Sequence, residues 1–353
     1  MKLGITGYPL SGKTTLFSLL TGMDASKLSS GAAPFHLGVM QILDDRLDWL
    51  QTMAGVPKKV YISLEIIDFA ALREGILKET EYIAQLRIID GFLHVIGLFD
   101  TAVENMNNTA MQLIHDLDLQ FMLSDLESTQ NRIERIKAKI RKVKDKQLED
   151  ELPIIEKCCQ WLSEEKPLRD LTLLPEEEKL LRGFGYLSLK PIMHVINIAD
   201  SHLSNTDITN QLHFSFLSKK VSSIICSIKL EKELTELSPE DAEVFAGEWN
   251  LKEWGASKFA KNVLAFMSII SFFTIGKEEV RSWNLIDGTT AHKAAGSIHT
   301  DMEKGFIKAE VISFEELKKI GNFNEARKRG ALKFEGKEYI VKEGDIITFK
   351  FNV

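Results

Sequence analysis

A short segment near the N-terminus has the residue types and spacing of a phosphate-binding loop. Residues 7–14 read GYPLSGKT and satisfy the pattern G-x-x-x-x-G-K-[ST]. In such a loop successive backbone N–H groups point at an anion, and the following helix adds its positive N-terminal end. Lys13 would reach the β- and γ-phosphates, and Thr14 would place its hydroxyl on Mg²⁺. A glycine-rich surface turn is the alternative. The residues predicted to bind phosphate are Tyr8, Pro9, Leu10, Ser11, Gly12, Lys13, Thr14 and Thr15.

The elements around this loop indicate a doubly wound α/β domain. An apolar run, Leu3 to Thr6, precedes the loop as a strand, and an apolar-periodic run follows it as a helix. A later strand, Val60 to Asp68, ends in a carboxylate. Strand ends in such sheets face the nucleotide, so Asp68 is predicted to join Thr14 in holding Mg²⁺. The alternative for a lone aspartate at this position is a turn or helix cap.

Two further strand ends are candidates for contact with a purine base. The strand from Ile192 leads into Asn197-Ile198-Ala199-Asp200, and the strand Ser222 to Cys226 leads into Ser227-Ile228-Lys229. An aspartate carboxylate accepts from N1–H and N2–H₂ of guanine, whereas adenine has no donor there. The motif N-x-x-D is also common in turns and caps. The candidate base-binding residues are Asn197, Ile198, Asp200, Ser227, Ile228 and Lys229.

The middle of the chain, from Val103 to Leu187, has a helical pattern. Apolar residues at spacings of four and three run from Met122 to Val143, and again from Leu152 through Cys159 to Leu162. Two such seams predict an antiparallel coiled-coil hairpin. Its first arm is basic, which is explained equally by a solvated charged face or by contact with an RNA backbone. The candidate RNA contacts are Lys137, Lys139, Arg141, Lys142 and Lys144.

Composition excludes several classes of protein. A net charge of −7 over 353 residues gives no overall reason to expect nucleic-acid or membrane binding, so any such site must be a local patch. The three cysteines lack the spacing of a zinc site or a disulfide framework. The longest apolar stretch, Val263 to Ile275, is too short to span a bilayer and is predicted to be a buried helix. With no signal segment, we expect a cytoplasmic protein with neither a membrane nor a DNA partner.

The last 80 or so residues indicate a separate α+β unit. Strands are predicted at Glu279–Ile286, Gly305–Ser313 and Ile346–Phe351, with a helix from Phe314 that extends to Lys319 or to Arg329. A hairpin is predicted from Leu332 to Ile340. Strands around one helix in about 80 residues suggest a fold of ubiquitin-like size.

Several ordered motifs together resemble the YchF subfamily of Obg-related P-loop NTPases. The strongest are 7–17 (GYPLSGKTTLF), 294–306 (AAGSIHTDMEKGF) and 349–353 (FKFNV), supported by 44–47 (DDRL), 67–72 (IDFAAL), 125–127 (DLE) and 165–169 (EKPLR). The resemblance implies an α/β P-loop NTPase G domain, whose mostly parallel sheet has helices on both faces, at residues 1–104 and 188–271. It also implies a helical coiled-coil insertion at 105–187 and a C-terminal TGS domain with a β-grasp fold at 272–353. Family members hydrolyse ATP or GTP and associate with ribosomes.

The departures from this subfamily fall where hydrolysis is controlled. The segment 34–39 (PFHLGV) is short and lacks the usual threonine of switch I, and Leu10 stands where the subfamily usually has asparagine. Ala71 replaces the glycine of D-x-x-G and adds a Cβ where a backbone N–H must approach the γ-phosphate. The resemblance implies a catalytic set of Lys13, Asp68 and Leu72, the last in the position where many GTPases have glutamine.

Two functions and two nucleotides therefore stay open at this stage. One function is Mg²⁺-dependent purine-nucleotide binding with slow hydrolysis, in ribosome-associated regulation; the other is a degenerate G domain that serves as a non-hydrolysing scaffold for RNA or protein. Asp200 suits guanine, but Ile198 replaces the lysine of guanine-specific N-K-x-D. Both GTP and ATP are retained, with a slight preference for GTP.

Overall fold

The computed structural model describes most of the chain, and this part divides into two compact units. The described residues are 1–24, 35–73, 75–76, 79–214, 216, 218 and 220–352. The first unit comprises Met1–Met40 and Glu65–Phe259, and the second comprises Gln41–Leu64 and Ala260–Val353. Of the residues named in the sequence predictions, Pro34 of the short segment 34–39 and Val353 of the motif 349–353 lie outside the described residues. The domain boundaries given above stay a prediction.

Twelve strands and fourteen α-helices are labelled here in chain order within the described residues. The strands are β1 (Lys2–Thr6), β2 (Phe35–Ile42), β3 (Lys58–Val60), β4 (Ile62–Phe69), β5 (Gly91–Gly97), β6 (Ile192–Asn197), β7 (Val221–Cys226), β8 (Ile269–Ile275), β9 (Glu279–Ile286), β10 (Phe306–Ser313), β11 (Lys333–Glu335) and β12 (Asp345–Phe351). The helices are α1 (Lys13–Thr21), α2 (Asp45–Ala54), α3 (Thr80–Arg87), α4 (Val103–Ile140), α5 (Lys146–Ser163), α6 (Pro175–Leu181), α7 (Thr206–Gln211), α8 (Ile228–Glu236), α9 (Pro239–Glu248), α10 (Gly255–Phe266), α11 (Ala291–Ile298), α12 (Thr300–Lys304), α13 (Phe314–Ile320) and α14 (Phe323–Lys328).

The first sheet is a mostly parallel, buried sheet of the doubly wound kind. Its strand order is β2-β4-β1-β5-β6-β7, and β1, β4, β5, β6 and β7 pair in parallel. Every residue of β6 is buried, which explains why this strand is a mostly apolar run instead of an alternating pattern. Parallel pairing brings the carboxyl ends of β1, β4, β5, β6 and β7 to one edge of the sheet, where their loops can form a common site.

The predicted helical hairpin is present as α4 and α5. Helix α4 runs for 38 residues and packs against the 18-residue α5. Arg132 on the first arm donates through Nε to the buried Glu151 carboxylate on the second, at 2.6 Å. Near the sheet, the buried Asp125 carboxylate accepts the backbone N–H groups of Leu187 and Ser188 at 2.9 and 2.7 Å. The bonds to Asp125 tie α4 to the segment that leads into β6.

Two details of the predicted hairpin seam were wrong. Cys158 is fully buried in the core shared by the two arms, whereas Cys159 is only half-buried. The reason is that the seam of α5 runs from Ile155 to Cys158 in three residues and then to Leu162 in four, the reverse of the order predicted. Val143 is 59% exposed, because α4 ends at Ile140 and its periodicity ends there.

The second sheet is mixed and has the arrangement expected of a β-grasp fold. Its order is β11-β10-β12-β8-β9-β3, with β8 and β9 antiparallel and β12 parallel to β8. The core between this sheet and α11 includes Phe272, Ala295 and Phe349. An early part of the chain also contributes, because β3 pairs in parallel with β9 and α2 packs in a second core around Phe314.

Three element predictions in the second unit need correction. The apolar run Val263 to Ile275 is not one helix: α10 ends at Phe266, Ser268 has a left-handed φ of 51°, and β8 follows. The predicted hairpin Leu332 to Ile340 is absent, since β11 pairs with β10 and Ile340 forms only an isolated bridge to Thr290. The helix from Phe314 is divided at Gly321, whose φ of 96° ends α13 before α14 begins. No helix in the described ranges is long and apolar enough to cross a membrane.

Candidate nucleotide-binding site

The loop between β1 and α1 has the backbone conformation that a phosphate cradle requires. Gly12 has a φ of 101°, and a Cβ added there would lie 2.6 Å from Nδ2 of Asn197. A Cβ on Gly7 would lie 2.5 Å from the backbone oxygen of Val95. Gly12 is therefore required for its positive φ and its close contact with Asn197. Gly7 is required because the backbone of β5 passes too close for a side chain. Leu10, at the tip of the loop, is left-handed with a φ of 62° and is 91% exposed.

Lys13, Thr14 and Asp68 converge at the start of α1. The Thr14 hydroxyl donates to Oδ2 of Asp68 at 3.0 Å. Asp68 is 6% exposed, and its Oδ1 is buried without a hydrogen-bond partner among the described residues. Burial raises the pKa of Asp68, and the nearby Lys13 ammonium opposes that rise. Burial lowers the pKa of Lys13, which Asp68 in turn opposes. A buried carboxylate oxygen without a partner, beside a cation and a hydroxyl, is a position that a bound ion would satisfy.

Asn197 links the phosphate loop to the end of β7. Its side-chain Nδ2 donates to the backbone oxygen of Ser11 at 3.0 Å, and its Oδ1 accepts the backbone N–H of Ile228 at 3.0 Å. The residue is 6% exposed. Ser227, one residue earlier, caps α8 by accepting the N–H of Leu230 at 3.3 Å. The Asn197 amide thus joins three segments, the phosphate loop, the end of β6 and the start of α8, into one wall.

These segments enclose a pocket of about 650 Å³. The pocket is lined by Leu10, Ser11, Gly12, Lys13, Thr14, Thr15, Phe99, Asp100, Asn197, Ile198, Ala199, Asp200, Ser227, Ile228 and Lys229. The structure therefore brings together all six residues predicted to contact the base and six of the eight predicted to contact phosphate. Their roles in binding stay predictions. The volume and the mixed polar and apolar lining are those of a small-molecule site.

The remaining predicted residues lie outside the lining of this pocket. Tyr8 and Pro9 line a neighbouring cavity of about 200 Å³, which shares Leu10, Ser11, Phe99 and Asp100 with the pocket. The Tyr8 hydroxyl accepts a hydrogen bond from Gln120 Nε2 of α4 at 3.2 Å. Leu72 is 1% exposed in the core around Phe69, and its N–H donates to the backbone oxygen of Gly7 at 3.0 Å. Its side chain is therefore in the core and not in the pocket lining, and its catalytic role stays a prediction.

Three residues of the pocket lining, Phe99, Asp100 and Ala199, were not among the predicted contacts. Phe99 and Asp100 follow β5, and Phe99 is 38% exposed. An aromatic face at the edge of such a pocket can stack on a planar base. The sequence could have indicated Phe99 and Asp100. The rule that ligand contacts follow strand ends, which selected Asp68, Asn197 and Ser227, applies equally to the end of β5.

The basic tip of the hairpin is only partly available for a partner. Lys137 pairs with Glu156 of the other arm at 2.8 Å, and Lys139 pairs with Asp145 at 3.2 Å. Arg141, Lys142 and Lys144 are exposed, and within the described ranges they form no ion pair. RNA contact by these five residues stays a prediction.

Comparisons with known proteins agree on one family. The family model YchF-GTPase_C, described as a protein of unknown function (DUF933), matches residues 269–352. The ribosome-binding ATPase YchF of Mycoplasma genitalium is 33% identical over 99% of both chains. The chain belongs to the YchF family. The YchF protein of Bacillus subtilis is 31% identical over 99% of both chains, and that of Escherichia coli O157:H7 is 32% identical over 100% of this chain and 99% of its own.

A solved structure supports the same assignment for the fold of this YchF-family chain. The Schizosaccharomyces pombe YchF GTPase superposes with a TM-score of 0.81 at 25% identity, covering 99% of this chain and 97% of that one. The resemblance to the YchF subfamily and the fold class, a P-loop G domain with a C-terminal domain, are therefore confirmed. Within the described residues, no three His, Cys, Asp or Glu side chains form a metal-binding group.

Proposed function

We propose that this chain is a nucleotide-binding, ribosome-associated protein whose ligand is a purine nucleoside triphosphate with Mg²⁺. The observation that carries the proposal is the pocket beside Gly12 and Lys13, in which the phosphate loop meets the ends of β5, β6 and β7. The bacterial relatives are ribosome-binding ATPases and the S. pombe relative is a GTPase, which supports both parts of the proposal. Association with ribosomes would place the protein in the cytoplasm.

The residues around Asp68 fit a magnesium ion. Mg²⁺ prefers hard oxygen ligands, and it is bound by one or two protein oxygens together with phosphates and water. Thr14 and Asp68 offer a hydroxyl and a carboxylate 3.0 Å apart, and in the part of the chain that the structure describes Oδ1 of Asp68 has no hydrogen-bond partner. When bound, the ion would neutralise charge on the phosphates. Lys13 would do the same from the loop, and the backbone N–H groups of the loop would orient the phosphates.

The base would lie against the ends of β5, β6 and β7. Phe99 and Ile198 offer apolar surface, and Asp200 offers a half-buried carboxylate whose Oδ1 also accepts the backbone N–H of Ser201 at 3.1 Å. The carboxylate suits the donors of guanine, while the apolar contacts serve either purine. The binding experiment therefore compares ATP with GTP.

The test is calorimetric titration of nucleotide-free protein with ATP, GTP, ADP and GDP, with and without Mg²⁺. We expect Lys13→Ala to weaken triphosphate binding about 10- to 100-fold, because a charge-assisted hydrogen bond contributes about 1.5–3 kcal/mol. Lys179→Ala, at an exposed position of α6, is the matched control and should bind like the wild type. Unchanged affinity in Lys13→Ala would refute the nucleotide site. Co-sedimentation with ribosomes tests the second part separately.

A specific observation favours a second candidate function, a non-hydrolysing G domain used as a binding scaffold. The N–H of Leu72 is bonded to the loop at Gly7, and the Leu72 side chain is in the core. The side chain of Leu72 is therefore not available to orient a water molecule beside the γ-phosphate. Equal affinities for di- and triphosphate, with no phosphate release from bound ATP or GTP, would favour the scaffold. A Mg²⁺-dependent preference for the triphosphate, together with phosphate release, would exclude it.

A further inference from the structure

The turn that follows Asp68 is tied to both ends of the phosphate loop. At the start of the turn, Oδ2 of Asp68 accepts the Thr14 hydroxyl at 3.0 Å. At its end, the Leu72 N–H donates to the backbone oxygen of Gly7 at 3.0 Å. Asp68 is also the last residue of β4 to pair with β1, where it lies opposite Ile5. The residues between the two bonds therefore run beside the phosphate loop without pairing to β1.

Tyr82 on α3 holds the middle of this turn. Its hydroxyl donates to the backbone oxygen of Ala70 at 3.1 Å. Its ring is 5% exposed and packs edge-on against Phe69, with the ring centroids 5.6 Å apart. Burial raises the pKa of Tyr82, so the hydroxyl keeps its proton and remains a donor at neutral pH. A phenylalanine ring would fill the same core volume, so what the hydroxyl adds is the bond to Ala70.

The bond to the Ala70 oxygen also sets the direction of the Ala71 N–H. The peptide between these residues is trans, and a planar trans peptide directs its C=O and its N–H to opposite sides. Because the oxygen is directed at Tyr82, the Ala71 N–H points away from α3. No hydrogen bond engages this N–H in the part of the chain that the structure describes. It is therefore an available donor in a turn that runs beside the phosphate loop.

We propose that Tyr82 positions the Ala71 N–H to donate to the terminal phosphate of a bound nucleoside triphosphate, an inference that rests on the proposed function. The proposed Mg²⁺ ligands Thr14 and Asp68 belong beside the β- and γ-phosphates, so the turn that begins at Asp68 passes the γ-phosphate. A donor that is already fixed in direction stabilises phosphate charge without reorganising. A diphosphate lacks this phosphate. Tyr82 is therefore a positioning residue for triphosphate selectivity and has no effect on nucleotide binding in general.

The experiment is calorimetric titration of the full chain with ATP, ADP, GTP and GDP in the presence of Mg²⁺. We expect the ratio of triphosphate affinity to diphosphate affinity to fall about 5-fold in Tyr82→Phe, the loss that corresponds to one net hydrogen bond. The diphosphate affinity should not change. The matched control is Tyr186→Phe, which makes the same change in the core of the hairpin, outside the pocket lining, and should keep the wild-type ratio.

Urea denaturation of the same variants separates positioning from support of the fold. A purely structural Tyr82 would lower the stability and reduce the affinities for di- and triphosphate by one common factor, and the resulting unchanged ratio would overturn the inference. An equal fall of the ratio in Tyr186→Phe would also overturn it. A wild type that binds di- and triphosphate equally would refute the role of Ala71 and leave the nucleotide site intact. A wild type that binds none of the four nucleotides would refute the proposed function and this inference together.

Discussion

Replacing Asn197 by alanine tests whether one amide holds the walls of the nucleotide pocket together. The side chain makes two hydrogen bonds of 3.0 Å, one to the Ser11 carbonyl of the phosphate loop and one from the N–H of Ile228. Both backbone groups belong to segments that line the pocket. The substitution deletes both bonds and leaves a donor and an acceptor behind.

The expected magnitude follows from these two bonds. A net hydrogen bond contributes about 1 kcal/mol, and a buried group left unsatisfied costs about 1–3 kcal/mol. Because both groups border a pocket that admits water, the lower end applies to each. The free energy of unfolding should therefore fall by about 2 kcal/mol. If the loop must recover this arrangement to bind phosphate, the nucleotide affinity should fall by up to about 30-fold, since 1.4 kcal/mol is a factor of ten.

The assay combines urea denaturation with calorimetric nucleotide titration. Asn197→Asp is the informative partner, because its carboxylate can still accept from Ile228 but cannot donate to Ser11, so its loss should be concentrated in the phosphate loop. Asn210→Ala, at an exposed position of α7, is the control. If Asn197→Ala matched that control in both stability and affinity, the amide would not organise the site and the reasoning would be refuted.

Three further predictions address other parts of the first unit. Gly12→Ala should weaken nucleotide binding at least 10-fold by calorimetry, because its Cβ would lie 2.6 Å from an amide nitrogen at a φ of 101°; wild-type affinity would contradict the loop geometry. His94 and His194 face each other at 3.1 Å between Nδ1 atoms, and burial lowers the pKa of His94 to about 3 and that of His194 well below 6.5. The unfolded chain therefore binds more protons below pH 6.5, and the free energy of unfolding should fall by up to about 1.4 kcal/mol per pH unit for each histidine. His194→Phe should lose its share of this slope in urea denaturation between pH 7 and 5, and an unchanged slope would count against it. Arg132→Met should lower the free energy of unfolding by about 2 kcal/mol, because it leaves a buried carboxylate on α5 without its guanidinium; Arg135→Met is the control, and equal stability of the two would argue that the pair contributes nothing.

Local sequence patterns were sufficient where one short segment contains the whole feature. The phosphate-loop pattern has two glycines, Lys13 and Thr14 at fixed spacing, and Gly7 and Gly12 both lie where an added Cβ would collide with a neighbour. The apolar runs of β1 and β6 were recognisable as strands because strands buried on both faces are continuous apolar segments. The 38-residue helix α4 was predictable because its periodicity extends over many turns.

Short apolar runs were ambiguous because periodicity does not separate a buried helix from a buried strand. Val263 to Ile275 changes from helix to strand at Ser268, which no apolar count reveals. Which of Cys158 and Cys159 faces the hairpin core depends on where the spacings of three and four residues fall along α5, and the sequence fits both orders. Strand β10 has one extra residue, Ile307, between its pairings with β12. The sequence does not show this register shift, because it is defined only by the pairing of the two strands.

The sequence by itself determined the phosphate-loop pattern between a strand and a helix, the helical hairpin and the presence of an α+β unit, because each depends on residues close together in the chain. Only the tertiary structure decided which distant residues meet. It joined Asn197 to Ser11, placed Asp68 beside Thr14, and put Leu72 in the core instead of the pocket. It also paired β3 with β9 across more than two hundred residues. The physical reason is that hydrogen-bond partners and burial are set by the packing of the sheet, and the strand order of a sheet is not encoded in any one segment.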